Sequence, residues 1–345
     1  MKGWHSSTSR CRVSSAFSSW EAATSCCPAG VGSWQRRRHE WPLAMSITDA
    51  EAMRAVTHAV SIEHGYAGWH PWFVLRAQGQ DWVGRRALAA PMKSGCAFSL
   101  VDASMLRGRL LAMSAHGGDL HVAYEVAERS ACVRFFNEAE ACSDTSLVFP
   151  HPCMADDGSE FVVPSTAWEP TARLVETLDA GEQHFREFAI ACLRSFAGPG
   201  SLVYDPACST GAFIASVARA FPNLRCLGSD VSAPMVALAT ARFSEPNLDF
   251  AVACASQPRC IAGSCDALIV RFLNAEVVTR KEAEVYFRSL ATLLRRGGRM
   301  FVFGHTPVLI NPEAHAAELG LRLLARVGRL PGKNALFQFY ILEAT

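Results

Sequence analysis

The stretch VYDPACSTGAF, Val203–Phe213, decides the fold of this chain. An apolar run ends at Asp205, small residues and a proline follow, and Gly211 opens a segment with helical periodicity. This pattern predicts a strand, a tight turn and a helix. The free N–H groups at the start of such a helix suit an anionic group. The stretch therefore predicts a ligand-binding turn beyond the carboxyl end of a parallel strand.

The chain from Ser201 onward alternates predicted strands with predicted helices. The strands are expected over 201–205, 224–229, 248–253, 265–272 and 297–305, and the helices over 211–220, 233–243 and 279–295. A short helix and the strands RLLARVG (322–328) and ALFQFYILEA (335–344) close the chain. Near-continuous apolar strands that alternate with helices indicate an α/β fold whose parallel sheet is covered on both faces.

The chain upstream divides into two further segments. Residues 1–44 are rich in serine and arginine and lack the apolar core of a secretory signal. We expect a disordered tail or a start-site artefact there, with an organellar transit peptide as the alternative. Residues 45–165 predict a smaller α+β domain, with a helix over 48–63, short strands and a hairpin over 147–163. This domain is expected to bind part of the substrate or to mediate a homodimer, and residues 166–345 to form the main ligand-binding domain.

Composition and charge exclude several classes of protein. The 345 residues carry a formal net charge of +1, which argues against a nucleic-acid partner. No apolar run approaches the ~20 residues of a membrane span. The 13 cysteines show no zinc-ligand spacing, so we expect free thiols, no metal and a cytoplasmic location.

A carboxylate downstream of the turn indicates which ligands fit. Asp230, in LRCLGSDVS, lies 19 residues past Gly211 at the end of the next predicted strand. A carboxylate at that place can accept both hydroxyls of an adenosyl ribose. The ligand is then a dinucleotide or S-adenosylmethionine, and the dinucleotide fingerprint G-x-G-x-x-G is absent here.

The turn resembles motif I of the class I S-adenosylmethionine-dependent methyltransferases, which usually reads D-x-G-x-G-x-G. Ala207, Ser209 and Gly211 stand at its glycine positions. RRGGRMFVFGH (295–305) resembles the late helix–Gly-Gly–strand element of that family. The resemblance implies a Rossmann-like sheet of seven strands with an antiparallel last strand, and S-adenosyl-L-methionine as the cofactor.

The same resemblance implies a set of cofactor-binding residues. They are Asp205, Ala207, Gly211, Asp230, Val231, Met235, Cys254 and Ala255. The first three would cradle the methionyl part, Asp230 would bind the ribose, and Val231 and Met235 would flank the adenine. Cys254-Ala255 stands where the family usually has Asp-Ala, so the backbone N–H of Ala255 would meet the adenine.

The acceptor is expected to be a small molecule. DPACSTG also resembles motif I of DNA adenine methyltransferases, but VRFLNAEVV (270–278) lacks their Asn/Asp-Pro-Pro-aromatic motif. Arg271 and His305, with Asn274, are the candidate acceptor-side residues at strand ends. Arg271 either holds an acceptor carboxylate or pairs with an acid such as Glu276. His305 is either a general base or a structural histidine.

Two points of the acceptor site stay open. His184 either closes over the cofactor or faces solvent or a neighbouring residue. The motif I turn, together with RFLNAEVVT (271–279) and FGHTPVL (303–309), resembles quorum-sensing methyltransferases of the PhcB type. That resemblance implies O-methylation of a 3-hydroxy fatty acid to its methyl ester. The aromatic stretch His64–Leu75 would suit an acyl chain, and core packing explains it equally well. The alternatives are a nucleic-acid or protein methyltransferase and a non-catalytic regulator.

Overall fold

A computed structural model gives the structure of the chain. It describes residues 58–63, 72–86, 99–116, 119–149, 159–160, 162–330 and 332–345. The predictions for residues 1–44, for 48–57 and for most of the aromatic stretch lie outside the described residues. Arg54–Thr345 forms one compact unit, and the predicted domain boundaries at 45 and 165 stay predictions.

A six-stranded antiparallel sheet occupies the first part of the described chain. Its strands are β1 (His58–Glu63), β2 (Trp72–Ala77), β3 (Gln80–Arg85), β5 (Leu106–His116), β6 (Asp119–Val126) and β7 (Ser146–Val148). Their spatial order is β1-β6-β5-β3-β2-β7. Helix α1 (Arg129–Ala141) packs on one face, where Phe135 and Phe136 meet Phe73 and Leu75 in a buried cluster.

One local prediction is wrong in this part of the chain, and a second lies mostly outside the described residues. The predicted helix at 48–63 is strand β1 over His58–Glu63, because every residue of HAVSIE pairs with β6 and its β-branched Val60 and Ile62 suit a strand. The central part of the predicted hairpin over 147–163 lies outside the described residues, and of its ends β7 pairs with β2 and Val162 bridges to Glu276. Both segments find partners far along the chain, which local periodicity does not reveal.

Among the described residues, the larger sheet contains eight strands. They are β4 (Val101–Asp102), β8 (Leu202–Asp205), β9 (Arg225–Asp230), β10 (Leu248–Val252), β11 (Cys265–Val270), β12 (Leu294–Phe303), β13 (Leu321–Arg329) and β14 (Ala335–Ala344). Seven follow the order β10-β9-β8-β11-β12-β14-β13, and β4 pairs with β14. Strands β8 to β12 are parallel, whereas β14 runs antiparallel to β12 and β13. The prediction of an α/β fold with a mixed sheet is confirmed, with one strand more than the predicted seven.

Helices cover both faces of this sheet. They are α2 (Ala172–Gly181), α3 (Gln183–Leu193), α4 (Ala212–Ala220), α5 (Ala233–Arg242), α6 (Arg280–Ala291) and α7 (Pro312–Ala316). All six residues of β11 are buried, and apolar clusters lie on either side of the strand. A capping box between Thr279 and Glu282 begins α6. No helix in the described part of the chain is both long and apolar enough to cross a membrane.

Candidate active site

The turn after β8 has the shape that the sequence predicts. The N–H of Cys208 donates to the Ser229 carbonyl at 2.8 Å, and the N–H of Gly211 donates to the Cys208 carbonyl at 2.9 Å. Ser209, at a glycine position of motif I, has φ of 50°. Gly211 has φ of 78°, and a Cβ there would lie 2.7 Å from the Cβ of Ala239. This glycine therefore serves the backbone conformation and the close approach of α4 to α5.

Asp230, at the end of β9, ties the turn to the next strand. One oxygen of its carboxylate accepts from the Ser209 N–H at 2.8 Å, and the other accepts from the Ser232 N–H at 2.9 Å. Asp230 is half-buried, and each of its oxygens keeps a lone pair for a further donor. The next residue, Val231, is 73% exposed, whereas Met235 is buried. The places of the ribose at Asp230 and of the adenine between Val231 and Met235 stay predictions.

Cys254 and Ala255 follow β10 at the same edge of the sheet. The Ala253 N–H donates to the Asp230 carbonyl at 3.0 Å, which holds this loop beside β9. The Ser256 hydroxyl donates to Cys254 Sγ at 3.1 Å, and this bond holds the pKa of the thiol below its usual value. Cys254 is half-buried and Ala255 is buried. The contact of these two residues with the adenine stays a prediction.

Arg271, which follows β11, is bonded through all three nitrogens. Its Nε donates to Asp205 at 3.3 Å, its Nη1 donates to Glu182, and its Nη2 donates to the Cys208 carbonyl at 2.7 Å. The Arg271 side chain is 8% exposed and that of Asp205 is fully buried. Arg271 thus joins the turn between β8 and α4, which we call the cofactor turn, to the junction of α2 and α3. The sequence suggested Glu276 as the partner of Arg271, but these bonds go to Asp205, Glu182 and Cys208.

Burial and charge act in opposite directions on this ion cluster. Burial raises the pKa of Asp205 to about 6, although Arg271 opposes that shift. Burial disfavours the charge of Arg271, but Glu182 and Asp205 outweigh it and hold the pKa of the guanidinium above its usual value. Two carboxylates that share one guanidinium keep that guanidinium charged. A role for Arg271 as an acceptor anchor stays a prediction, and it requires one of these bonds to open.

His305 lies beyond the end of β12, on the acceptor side of the turn. Its Nε2 is 4.0 Å from Glu182 Oε1, and its Nδ1 is buried without a hydrogen-bond partner. Burial lowers the pKa of His305, as do Arg271 and Arg186, whereas Glu182 raises it. The sequence did not single out Glu182. Its only local signal is a glycine–acid pair between two predicted helices, just before His184.

Asn274 and His184 are both buried, and each forms a hydrogen bond with another residue of the chain. Asn274 is buried, and its Nδ2 donates to the Arg271 carbonyl at 3.4 Å. His184 is buried against Phe185 and Phe337, and its Nε2 lies 2.7 Å from the Ser99 hydroxyl. Burial lowers the pKa of His184 to about 3, so the ring is neutral at physiological pH. Of the two alternatives for His184, the structure places it against neighbouring residues.

The strand ends, together with the junction of α2 and α3, thus carry two adjoining groups of side chains. The cofactor group contains Asp230, Val231, Cys254 and Ala255, and the acceptor group contains Arg271, Glu182 and His305. Within the described ranges, no cluster of three or more His, Cys, Asp or Glu residues could hold a metal ion. When bound, S-adenosylmethionine would supply an electrophilic carbon on a sulfonium. The open lone pairs of Asp230 and the exposed Val231 fit its adenosyl part.

Comparison with known proteins identifies the family. The sequence family described as "Methyltransferase domain" matches residues 203–298. Isonocardicin synthase from Nocardia uniformis subsp. tsuyamanensis is 34% identical over 293 residues, which cover 81% of this chain and 93% of that protein. The fold and the site define an S-adenosylmethionine-dependent methyltransferase with S-adenosyl-L-methionine as its cofactor. Within that class, the chain belongs to the family of isonocardicin synthase.

Solved structures share parts of this fold. Geranyl diphosphate methyltransferase in complex with GPP and sinefungin is 18% identical, with a TM-score of 0.31, and the match covers 42% of this chain and 54% of that one. A SAM-dependent methyltransferase from Aquifex aeolicus is 13% identical, with a TM-score of 0.39, and the match covers 51% of this chain and all of that one.

Proposed function

We propose that this enzyme transfers a methyl group from S-adenosylmethionine to an oxygen of a small-molecule acceptor. The observation that carries the proposal is the adjacency of two sites: Arg271 bonds the cofactor turn at Cys208 and also bonds Glu182, which faces His305. A polar acceptor site therefore adjoins the cofactor cleft. The name of the relative, isonocardicin synthase, supports a small-molecule product.

Among oxygen acceptors, the contacts favour a hydroxyl over a carboxylate. A carboxylate is already nucleophilic at neutral pH and needs a cationic anchor, but each nitrogen of Arg271 already has a partner. A hydroxyl needs a base, and a histidine whose pKa lies below its usual value is neutral at physiological pH. If the acceptor is a carboxylate instead, the proposed product is the methyl ester of a 3-hydroxy fatty acid. The cytoplasmic location and the homodimer stay predictions.

A second candidate reaction transfers a different carbon group from the same sulfonium. The sulfur of S-adenosylmethionine bears three carbon substituents, and the relative is named for a product rather than for methylation. Asp205, expected at the methionyl end, is fully buried and bonded to Arg271 and to the Ala207 N–H. If Asp205 does not hold the methionyl chain, an acceptor can attack the carbon of that chain that is bonded to sulfur. The 3-amino-3-carboxypropyl group then passes to the acceptor, and 5′-methylthioadenosine leaves.

One assay separates these reactions. The full chain is incubated with S-adenosylmethionine and a panel of phenols, hydroxy acids and free 3-hydroxy fatty acids, and the products are identified by mass spectrometry. S-adenosylhomocysteine with an O-methyl ether supports the proposal, whereas a methyl ester moves the acceptor to a carboxylate. 5′-Methylthioadenosine with an aminocarboxypropyl product would replace methyl transfer with the second candidate.

A cofactor-binding control accompanies the assay. Asp230→Ala removes the acceptor of the Ser209 and Ser232 N–H groups together with the expected ribose ligand. We expect the affinity for S-adenosylmethionine to weaken by about 2–3 kcal/mol in calorimetry. Unchanged affinity in this variant would show that the cofactor binds elsewhere. Cofactor binding to the native chain without any product on the panel would support the non-catalytic alternative.

A further inference from the structure

The segment 164–181, which contains α2 and which we call the strap, has both of its ends fixed on one stretch of chain. Just before the strap, the Val163 N–H donates to the Glu276 carbonyl at 2.8 Å. Just after it, Glu182 accepts from Arg271. Glu276 and Arg271 both lie between β11 and α6. The strap therefore leaves this stretch and returns to it, so its middle can move while its ends stay in place.

Little of the strap is buried. Residues 164–180 are all exposed or half-buried, and Gly181, which has no side chain, is the one buried residue of α2. Helix α3, which follows directly, buries Phe185 and Leu193 completely. Segments with little apolar burial open locally at a lower free energy than the core does. Polar contacts therefore contribute most of what holds α2 in place.

Asp179, in the last turn of α2, supplies such a contact with the cofactor turn. One oxygen of its carboxylate accepts from the Thr210 hydroxyl at 2.7 Å. The other oxygen accepts from Arg242, the last residue of α5. One carboxylate therefore links α2 to the cofactor turn and to α5.

Both partners of Asp179 adjoin the predicted cofactor residues. Thr210 stands between Gly211, where α4 begins, and Ser209, whose N–H donates to Asp230. Helix α5, which ends at Arg242, begins three residues after Asp230. A change in the Asp179 contacts is therefore transmitted to the turn and to the helix on either side of the expected ribose ligand.

The attachments of α2 at Asp179 and at Glu182 differ in their access to water. The side chains of Glu182 and Arg271 are 7% and 8% exposed, whereas those of Asp179 and Arg242 are 24% and 30% exposed. Water and salt weaken an ion pair at the surface far more than a buried one. The Asp179 contacts are therefore the ones that open first, while the Glu182 contact keeps the end of the strap in place.

We infer that the strap is a lid over the cofactor turn, and that Asp179 is the positioning residue that latches it. In the closed state the Asp179 carboxylate holds Thr210 and, through it, the backbone of the turn. In the open state the turn loses this support and the cofactor is released. The inference concerns the exchange of the cofactor and goes beyond the proposed function, so it does not depend on the acceptor or on the carbon group transferred.

The first test is hydrogen exchange of the full chain with and without S-adenosylhomocysteine, which lacks the transferable methyl group. In the free chain we expect the amides of α2 to exchange about 100-fold faster than those of α3. S-adenosylhomocysteine should slow α2 about 10-fold more than it slows α3, and Asp179→Ala should remove this difference. Exchange of α2 that is as slow as that of α3, or that responds to the ligand equally in both chains, would overturn the inference.

The second test measures the dissociation rate of S-adenosylhomocysteine by surface plasmon resonance. Asp179→Ala should raise the rate constant about 10-fold, because affinity changes within one site lie mostly in dissociation. Thr210→Val should raise it as well, but should add almost nothing to Asp179→Ala, since both remove the same hydrogen bond. Thr210→Ser keeps the hydroxyl and should dissociate at nearly the native rate.

Glu176→Ala is the matched control for these variants. It removes a carboxylate from an exposed site on the same helix and should leave the dissociation rate unchanged. A lower melting temperature in Asp179→Ala with a native dissociation rate would reduce Asp179 to a structural role. Fully additive effects of Asp179→Ala and Thr210→Val would show that the two residues act separately, and either result would overturn the latch. Neither test uses an acceptor, so such a failure would leave the proposed function standing.

Discussion

At the scale of single residues, Arg271 connects three parts of the site. It bonds the carboxylates of Asp205 and Glu182 and the Cys208 carbonyl from a position that is 8% exposed. A guanidinium spreads its donors over three nitrogens and reaches all three acceptors, whereas an ammonium carries its three donors on one nitrogen. The integrity of the cofactor turn therefore depends on this one side chain.

Arg271→Lys tests that dependence. We expect a loss of about 1–3 kcal/mol in the free energy of unfolding, because at least one buried acceptor loses its donor. Cofactor affinity should weaken too, while the KM for the acceptor stays nearly constant. Urea unfolding and calorimetry measure these effects. Arg322→Lys alters an exposed pair with Glu343 and is the control. A rise confined to the acceptor KM would instead restore Arg271 as an acceptor anchor.

His184 predicts a pH dependence of stability. Its folded pKa is about 3, against an ordinary value of 6.5, so the unfolded chain takes up a proton that the folded chain excludes. The stabilisation is present above pH 6.5 and is lost as the pH falls toward 3, by up to ~1.4 kcal/mol per pH unit. From about pH 7.5 to about pH 5.5 we expect His184→Gln to lose about 1 kcal/mol less than the native chain in urea unfolding. Equal losses in both chains would contradict the buried neutral ring.

At the scale of elements, the turn between β8 and α4 depends on a contact with α5. Gly211 has φ of 78°, and a Cβ there would also lie 2.9 Å from the Phe250 ring. Gly211, the last glycine of motif I, therefore allows α4 to pack closely against α5 and β10. Ser209 adopts a positive φ without glycine, so this position of the turn accommodates a side chain in the left-handed region.

Gly211→Ala should destabilise the chain more than a glycine-to-alanine change without the contact. Gly200 has φ of 80° and no atom within 4 Å of the position that a Cβ would take, so Gly200→Ala measures the backbone effect alone. In urea unfolding we expect Gly200→Ala to lower the free energy of unfolding by about 1 kcal/mol. Gly211→Ala should lower it by roughly a further 1–3 kcal/mol. Equal losses would show that α5 moves aside freely.

At the scale of the whole molecule, strand β14 joins the two sheets. Strand β4, which lies in the chain between β3 and β5 of the smaller sheet, pairs with β14 in the larger sheet through Val101 and Leu336. The Gln338 side chain on β14 donates to the Leu147 carbonyl of β7 at 3.2 Å and accepts from the Val308 N–H at 3.0 Å. These bonds are buried, so neither sheet can separate without exposing polar groups of the other.

Gln338→Leu tests this coupling. We expect a loss of about 2–4 kcal/mol, because the Leu147 carbonyl and the Val308 N–H both lose a buried partner. Fluorescence and circular dichroism should still report a single shared transition, at a lower temperature. Gln257→Leu, at an exposed position, is the control. Two separate transitions in the native chain would mean that the sheets unfold independently.

The amino-acid sequence by itself determined most elements from Ser201 onward, although the predicted helix over 279–295 ends at Ala291 and β12 already begins at Leu294. The predicted helix 211–220 is Ala212–Ala220, and the predicted strand 335–344 is Ala335–Ala344. Apolar periodicity, turn residues and caps act over a few residues, so they can be read locally. The turn and Asp230 could be predicted for the same reason, since they lie at adjoining strand ends in one strand–helix–strand unit.

Tertiary structure alone decided which side chains surround the acceptor side. Arg271 and Glu182 are 89 residues apart in sequence, and no local pattern pairs them. Strand β1 at His58–Glu63 depends on its pairing with β6, and β7 depends on its pairing with β2. Long-range pairing and desolvation arise only when distant segments meet. For that reason the sequence indicated the cofactor cleft, while the fold created the cluster of Arg271, Glu182 and His305.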